Sequence, residues 1–445
     1  MENSLVSFWE RNRLVIKICT IGILALLLLI PTAFISSLVR EREARRQEAV
    51  KEVSNKWASG QTVSAPVLVI PYLKHVYDEK GQRELVRELA YFLPDQLHID
   101  GKIIPEKRYR GIYEVILYRS DLHISGRFDD LQPEGMKIAR EDLLTDEAFL
   151  MLGLDDVRGL EDQVMLRWAD TSLLFRPGLP ENTSLKSGIS VPVSVVGSGQ
   201  DKNSFAFDIR LKVKGSGQLF FVPLGATTTL SLRSPWPTPS FDGSFLPDKR
   251  RVTPQGFEAE WKVFHLNRNF PQHWTDASYK LQDAAFGVNL MLPVDAYQQT
   301  MRCVKYAILF IALTFIVFFL LEATRGGGRV HPFQYLLIGL ALCVFYTLLL
   351  SISEYLRFSW AYGIAAVAVV GLIALYSWWV FRSRRFTLLV SGILALLYGF
   401  IFTLVQLEDF SLLAGSVGLF SILTLLMYYS RKIDWYGLQG GNKRQ

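Results

Sequence analysis

The sequence predicts an α+β membrane protein: six transmembrane helices and a large β-rich domain inserted between helix 1 and helix 2. Half of the 445 residues are hydrophobic, and a mean hydropathy of +0.21 is high for a soluble protein. Uncharged apolar runs long enough to cross a bilayer lie near the N-terminus and throughout the C-terminal third. Between them, apolar and polar residues alternate with period two, which is typical of half-buried strands.

Residues 1–39 are predicted to be a cytoplasmic N-terminus followed by transmembrane helix 1. The uncharged run Ile18–Val39 is long enough to cross about 30 Å of hydrocarbon. The alternative is a cleaved signal peptide. However, the run is long for that role, and its end, PTAFISSLV, lacks an A-x-A cleavage pattern. A retained signal anchor is therefore the favoured interpretation.

Residues 40–60 are predicted to form a charged juxtamembrane helix that continues out of helix 1. Glu41 with Arg45, and Glu52 with Lys56, have the i,i+4 spacing that brings opposite charges together on one helical face. The arginines here disagree mildly with the topology deduced below, but a long following domain can translocate despite such charges.

Residues 61–300 are predicted to form a β-rich domain, either a sandwich or a barrel, because alternating runs are separated by Gly and Pro clusters. One exception is 139–153, AREDLLTDEAFLMLG, which is interpreted as a short helix. This domain has no cysteine, so no disulfide stabilises it. The clearest strand patterns are at 67–73, 112–126, 205–215 and 256–264.

A tetrapeptide, FLPD, occurs twice in this domain, at 92–95 and at 245–248. Each copy is followed by basic residues, a glycine and an alternating strand. One interpretation is a duplicated domain with two lobes. The other is shared turn chemistry at two unrelated positions.

Residues 301–430 are predicted to form a five-helix transmembrane bundle, and 431–445 a cytoplasmic tail. Two loops, at 323–331 and 382–385, are basic, as is the tail, whereas the intervening loops are acidic or nearly neutral. The positive-inside rule then places both termini in the cytoplasm, so the β-rich domain is periplasmic in a Gram-negative cell. The five spans are predicted at 304–322, 332–353, 358–381, 386–407 and 410–430.

Motifs for catalysis, cofactors and metals are missing from the sequence. It contains no H-E-x-x-H, G-x-S-x-G, Walker loop or C-x-x-C pattern, and no two of its six histidines have i,i+3 or i,i+4 spacing. We therefore expect no catalytic residues, no cofactor and no metal. The net charge of +6 does not indicate nucleic-acid binding, because positive-inside retention explains it more simply.

Charged residues at the ends of the spans are candidates for function, because charge near hydrocarbon is costly. Lys305 and Glu354 lie at the predicted outer ends of helices 2 and 3, and are predicted to form an interhelix charge pair. The alternative is an ion or substrate gate. At the inner end, a cytoplasmic turn cluster is predicted, and Lys17, at the inner end of helix 1, is expected to snorkel to the interface. The turn cluster comprises Glu322, Arg325, Arg329 and His331.

A proline- and aromatic-rich segment, SPWPTPSFDGSFLP at 234–247, is a candidate recognition loop. Trp236, Phe241 and Phe245 would provide its contact surface. The alternative is that the segment packs on its own core.

Several long motifs, in order along nearly the whole chain, resemble the CreD family of inner-membrane proteins, also called cell envelope integrity proteins. Where that family often has Ser-Glu-His after the third span, this chain has Ser353-Glu354-Tyr355, so a histidine role does not carry over. The matching segments are 109–128, 156–160, 234–247, 256–261, 292–315, 331–355 and 432–438.

The resemblance implies a non-enzymatic inner-membrane protein that supports cell envelope integrity, within a Cre-type response to envelope or β-lactam stress. It implies no catalytic residues. Apart from the lipid bilayer, the expected partner is an envelope protein of unknown identity that binds the periplasmic domain. Two other classes stay open: a transporter or lipid-handling protein, which needs a polar cavity among the spans, and a membrane-bound hydrolase, which needs clustered acid and base residues.

Overall fold

The chain divides into two compact units in this computed structural model. One unit combines Met1–Arg46 with Val294–Gln445, and the other is Gln47–Pro293. The predicted tail lies outside the described residues except for Arg431, as do residues 1–12. The structure describes residues 13–77, 83–129, 131, 136, 138–181, 183–195, 204–275, 279–290, 296–324, 330–407 and 410–431.

The first unit is helical. Its helices, with the last part of α2 extending into the second unit, are α1 (Arg13–Leu27), α2 (Leu29–Trp57), α3 (Ala296–Lys305), α4 (Ala307–Thr324), α5 (Pro332–Ser353), α6 (Phe358–Phe381), α7 (Arg384–Gln406) and α8 (Ser411–Ser430). Among the described residues, four helical segments are long and apolar enough to cross a membrane, and α3 with α4 makes a fifth if that bent pair is one span. The predicted sixth span corresponds to α8, whose described apolar stretch, Leu413–Tyr428, is shorter.

Two local features interrupt the apolar helices. Between α1 and α2 the helical hydrogen bonding is irregular at Leu28, three residues before Pro31. Proline has no amide hydrogen to donate to the carbonyl four residues earlier, which explains a break at this place. Between α3 and α4 the axis bends by 44° at Tyr306. Helical structure therefore begins at Ala296, ahead of the second span predicted at 304–322.

The charged extension of the first span is helical as predicted, and α2 ends at Trp57. Both predicted i,i+4 pairs form: Arg45 to Glu41 at 2.6 Å and Lys56 to Glu52 at 2.8 Å. Within the second unit, Arg110 of the β-rich domain also binds Glu52, at 3.1 Å.

The second unit is β-rich, and alternating sequence forms its strands. They are β1 (Gln61–Tyr77), β2 (Arg83–Phe92), β3 (Gln96–Arg110), β4 (Tyr113–Asp129), β5 (Phe149–Leu154), β6 (Met165–Trp168), β7 (Thr171–Leu174), β8 (Arg176–Pro177), β9 (Gly188–Pro192), β10 (Ser204–Ser216), β11 (Gln218–Phe221), β12 (Thr227–Ser234), β13 (Pro239–Gly243), β14 (Lys249–Thr253), β15 (Gly256–Phe264), β16 (His273–Trp274) and β17 (Phe286–Leu290).

The strands form two sheets. In the described residues one sheet has nine strands, with the path β13-β17-β11-β1-β5-β9-β8 and with β2 pairing both β1 and β16. The other has eight, in the order β14-β15-β12-β3-β4-β10-β6-β7. Pairing is antiparallel except for one parallel pair in each sheet, β1 with β11 and β12 with β3. Buried residues from both sheets belong to one hydrophobic cluster, so the domain is a sandwich.

The short helix predicted at 139–153 is wrong. Two single turns of 3-10 helix, Arg140–Asp142 and Thr145–Glu147, are followed by the strand β5. All six residues of β5 are buried, and the strand lies between β1 and β9 in the nine-stranded sheet. A strand buried on both faces is continuously apolar and lacks the alternation that marks a half-buried one.

Both copies of FLPD lead into the same sheet. Residues 92–95 immediately precede β3, which pairs antiparallel with β4, and residues 245–248 precede β14, which pairs antiparallel with β15. The two hairpins lie in one sheet with a common core.

Candidate functional site

Glu322, near the end of α4, is a buried carboxylate with three donors. Lys17 of α1 forms a close ion pair with it. The backbone N–H of Val330 donates to the same oxygen at 3.0 Å, and the hydroxyl of Tyr335 donates to the other at 3.2 Å. Lys17 also donates to the carbonyl of Val330, at 3.2 Å. The carboxylate therefore joins α1, α4 and α5 at one end of the helical unit.

Only part of the predicted turn cluster lies within the described residues. Arg325 and Arg329 lie outside the described residues. His331 instead caps α5: its Nδ1 accepts from the N–H of Phe333 at 3.3 Å, and its own N–H donates to Gln334 at 3.0 Å. Among the described residues, the cation bound to Glu322 is Lys17, which was expected to snorkel.

Glu354, at the C-terminal end of α5, forms a second carboxylate site. Its side chain is 9% exposed, and the guanidinium of Arg42 lies 3.7 Å from it. The hydroxyl of Tyr297 in α3 donates to the same carboxylate oxygen at 3.3 Å. This site joins α2, α3 and α5.

The structure does not pair Glu354 with Lys305. Lys305 is exposed and forms no ion pair with any described residue. The cause is the helical period of α3, which buries Tyr297, Thr300 and Val304 on one face and leaves Lys305 on another.

Both carboxylates therefore receive their cation from the N-terminal helical segment. Lys17 and Arg42 are 25 residues apart in sequence, which corresponds to roughly 37 Å along a helix. That length is somewhat greater than the hydrocarbon thickness of about 30 Å. Because the helical segment from Lys17 to Arg42 is bound at both ends, it cannot slide along its axis relative to α4 and α5.

Aromatic packing fills the helical unit. The rings of Phe310 and Phe345 each lie 4.7 Å from that of Tyr398, and the hydroxyl of Tyr362 donates to the carbonyl of Tyr398 at 2.7 Å. Three other buried hydroxyls have no hydrogen-bond partner among the described residues: Thr314 in α4, Tyr346 in α5 and Ser377 in α6.

The predicted recognition loop packs on its own core, the alternative interpretation of that segment. Trp236 is buried, and its indole N–H donates to the carbonyl of Thr238 at 3.2 Å. Phe241 makes edge contacts with Phe257 and Trp261. The ring of Phe245 contacts Phe286 edge-on at 5.6 Å. All three aromatic side chains therefore contribute to packing within the sandwich.

Asp156 is a buried polar residue that joins separate segments of the β-rich domain. Its buried carboxylate accepts two hydrogen bonds from the guanidinium of Arg158, at 2.7 and 2.9 Å, and one from the N–H of Ser59 at 3.1 Å. Arg158 also donates to the carbonyl of Asn55 in α2. The bonds from Arg158 lower the pKa of Asp156 to about 2.

Arg268 is a buried cation held by neutral oxygens. Its guanidinium donates to the carbonyls of Leu224 at 3.1 Å and Phe270 at 3.2 Å, and to the side chain of Gln272. Burial lowers its pKa to about 10. Nothing in the sequence distinguished this arginine from exposed ones.

The described residues contain no group of three His, Cys, Asp or Glu side chains placed to hold a metal ion. His98 of β3 and His123 of β4 lie on paired strands, but each bonds a residue other than histidine. His98 bonds Thr229 at 2.6 Å, and His123 bonds Asp208 at 2.5 Å.

Comparisons with known proteins agree with the resemblance noted from the sequence. The family model described as "Inner membrane protein CreD" matches residues 13–436. A relative named "Inner membrane protein CreD", from Escherichia coli (strain K12), is 33% identical over 417 residues. The match covers 92% of this chain and 91% of the relative. The chain therefore belongs to the CreD family of inner membrane proteins.

Proposed function

We propose that this protein supports cell envelope integrity without catalysing a reaction, within a Cre-type response to envelope or β-lactam stress. In this proposal six helices anchor the chain, both termini are cytoplasmic, and the β-rich domain acts in the periplasm by binding an envelope partner. The observation that carries the proposal is that the buried carboxylates Glu322 and Glu354 bind cations of the N-terminal segment. Charges used in this way fix a helix in place.

Support for an anchoring role comes from the position of these charges. A substrate gate or proton relay places ionisable groups near the bilayer midplane, whereas Glu322 and Glu354 lie at helix ends. The β-rich domain, with its extended sheets, offers a large surface for a partner.

The topology is tested by labelling single cysteines in intact cells with a maleimide that crosses the outer membrane but not the inner one. The parent has Cys19, Cys303 and Cys343 replaced. Leu266→Cys, at a highly exposed position of the β-rich domain, should react. Phe333→Cys, exposed at the predicted cytoplasmic end of α5, should react only after lysis. Reaction of Leu266→Cys only after lysis would contradict the periplasmic placement.

The role itself is tested by complementing a deletion strain under β-lactam stress. We expect the wild type to restore growth, and Glu322→Gln to restore it poorly because the anchor is weakened. Glu41→Gln, in an exposed pair of α2, is the matched control and should behave as wild type. Normal growth of the deletion strain under envelope stress would refute the role.

Transport or lipid handling is a second candidate, favoured by the buried hydroxyls of Thr314, Tyr346 and Ser377, for which the described part of the chain supplies no hydrogen-bond partner. Such groups are the kind that contact a polar permeant. Tyr346→Phe removes one hydroxyl with little change in shape. Loss of the envelope phenotype in this variant at normal abundance would favour transport, and an unchanged phenotype would favour anchoring.

A further inference from the structure

The turn between α6 and α7 carries three arginines without a counter-charge. Arg382 follows the last residue of α6, and Arg384 and Arg385 begin α7. All three side chains are exposed. Within the described part of the chain, none of the three guanidinium groups takes part in an ion pair or a hydrogen bond. Three positive charges within four residues are therefore available to an external anion.

The acids of the helical unit lie elsewhere. Those in its described part are Glu41, Glu43, Glu322 and Glu354. Arg42, between the first two, is bound to Glu354, and α6 begins just after Glu354, so these three acids lie at the other end of α6 from the turn. Glu322 is already bound by Lys17 and by two hydrogen-bond donors. No carboxylate among the described residues is thus left to neutralise the three arginines.

An exposed apolar surface continues along α7 from two of these arginines. Leu388 and Leu389 come about one helical turn after Arg384 and Arg385, so each leucine lies on the same face of α7 as the arginine four residues earlier. Leu388 is 72% exposed and Leu389 is 47% exposed. The surface therefore has a cationic end and an apolar continuation toward the centre of the helix.

Two local features distinguish these arginines from an ordinary charged turn. The guanidinium of Arg384 lies over the ring of Trp378 in α6, 5.7 Å from its centre, which is a favourable cation–π distance. Arg382 has a left-handed backbone, with a φ of +45°, at a position after a helix where glycine is usual. A side chain in this conformation costs free energy that glycine would avoid. The fold therefore keeps an arginine here against the local backbone preference.

The turn lies where phospholipid headgroups lie. Both α6 and α7 are long and apolar enough to cross a membrane, and the chain belongs to a family of inner membrane proteins. A two-residue turn between such helices is at the boundary between hydrocarbon and water. Trp379, which is 64% exposed, has a side chain of the kind enriched at that boundary.

We propose that the α6–α7 turn binds the headgroup of an anionic phospholipid in preference to a zwitterionic one. Arginine forks match phosphate oxygens in geometry and charge. The acyl chains then lie along Leu388 and Leu389. A zwitterionic headgroup also has a phosphate, but its ammonium group meets three cations and no described carboxylate. This proposal rests on the turn and on the membrane location of the family, and not on the proposed envelope role.

Positive-inside retention of this loop requires charge but no lipid selectivity, so selectivity is the property to measure. The dissociation constant of the first bound lipid is obtained by native mass spectrometry of the purified full-length protein, released from a nonionic detergent. The probes are dioleoylphosphatidylglycerol and dioleoylphosphatidylethanolamine, which have the same acyl chains. We expect the anionic lipid to bind at least about fivefold tighter, since one arginine near an anionic headgroup contributes roughly that factor.

Arg384→Gln and Arg385→Gln should each weaken binding of the anionic lipid about fivefold and leave that of the zwitterionic lipid within about twofold. Arg382→Gly should do the same, and it should fold, because glycine adopts the left-handed backbone without strain. Arg357→Gln is the matched control: it removes an exposed arginine at the other end of α6, where Glu354 lies three residues earlier. It should leave both affinities within about twofold.

Equal affinity for the two lipids would overturn the proposal. So would an equal loss in Arg357→Gln and the turn variants, because net charge alone would then attract the lipid. Inorganic phosphate, added as a competitor at the concentration of the lipid, should displace little of it, since phosphate makes no contact with the leucines. Full displacement would show that the turn recognises free phosphate instead. None of these measurements concerns growth under β-lactam stress, so the envelope role is tested separately.

Discussion

The helical unit and the β-rich unit use charged side chains differently. In the helical unit, the ion pair of Lys17 and Glu322 joins residues 305 positions apart, and that of Arg42 and Glu354 also joins distant parts of the chain. In the β-rich unit, backbone ladders and one apolar cluster hold distant segments together, and most ion pairs are exposed. Lipid is as apolar as the helix surfaces, so the hydrophobic effect does little to select helix neighbours in a membrane. Charge can provide that selection.

The largest effect is expected for Glu322→Gln in the helical unit. Removing one partner of a buried pair leaves the other charge uncompensated, which costs about 3–5 kcal/mol. We expect the unfolding midpoint to fall by roughly 10 °C. Unfolding is followed with a thiol-reactive dye after the exposed Cys19 has been replaced, since Cys303 and Cys343 are buried in this unit and the β-rich domain has no cysteine.

The control for this prediction is Glu41→Gln, which removes an exposed i,i+4 partner on α2. It should cost only about 0.3–0.5 kcal/mol. Equal midpoints for the two variants would mean that the Lys17–Glu322 pair does not hold the first helix.

A smaller but still marked effect is expected for Arg268→Met in the β-rich unit. The substitution leaves the carbonyls of Leu224 and Phe270 without their buried donor, at a cost of about 2–4 kcal/mol in the free energy of unfolding. Tryptophan fluorescence during thermal unfolding measures it. Arg210→Met, at an exposed position of β10, should cost less than about 0.5 kcal/mol. If Arg268→Met leaves the free energy of unfolding unchanged, hydrogen bonds from the guanidinium to these backbone carbonyls do not stabilise the domain.

Acid should weaken the β-rich unit through Asp156. Since its pKa is lowered to about 2 in the folded state, its stabilisation is fully present above an unfolded-state pKa near 3.8, and is lost as the pH falls through 2. The stability difference between wild type and Asp156→Asn should be about 1–2 kcal/mol at pH 6 and should shrink steadily below pH 4. A difference that stays constant down to pH 2 would exclude the charged hydrogen bonds as its source.

The smallest effect is expected for Lys212→Gln, whose exposed partner Asp162 lies 2.7 Å away. Solvent screens such a pair, so the loss should be below about 1 kcal/mol by the same fluorescence measurement. A loss above 2 kcal/mol would mean that exposed cross-strand charges do organise this sheet, and the contrast between the two units would disappear.

Local patterns made much of the fold predictable. Period-two alternation located β10 and β15, and i,i+4 spacing located the pairs of Glu41 with Arg45 and Glu52 with Lys56. The pattern failed at β5, because a strand buried on both faces has no polar alternation. No local sequence pattern predicts the parallel pairing of β3 with β12, since the paired residues are over 100 positions apart in the chain.

The candidate site was predictable in part. The sequence singled out Glu322 and Glu354, since charge at the end of an apolar run is unusual, but their partners were sought only within the predicted hairpin of the second and third spans. The hairpin geometry suggested Lys305, which the helical period of α3 leaves exposed, whereas Arg42 comes from a helix distant in sequence. One sequence feature could have identified the partners: Lys17 and Arg42 flank the first apolar run, much as Glu322 and Glu354 flank α5.

A charge-reversal rescue tests whether the N-terminal helical segment is bound to Glu354 through Arg42. Glu354→Lys is combined with Arg42→Glu or, as the matched control, with Lys305→Glu, and the unfolding midpoint of the helical unit is measured by thiol reactivity. We predict that Glu354→Lys lowers the midpoint, that Arg42→Glu restores most of the loss, and that Lys305→Glu restores none. Rescue by Lys305→Glu but not by Arg42→Glu would show that the acid belongs to the hairpin alone and that the first helix is not held there.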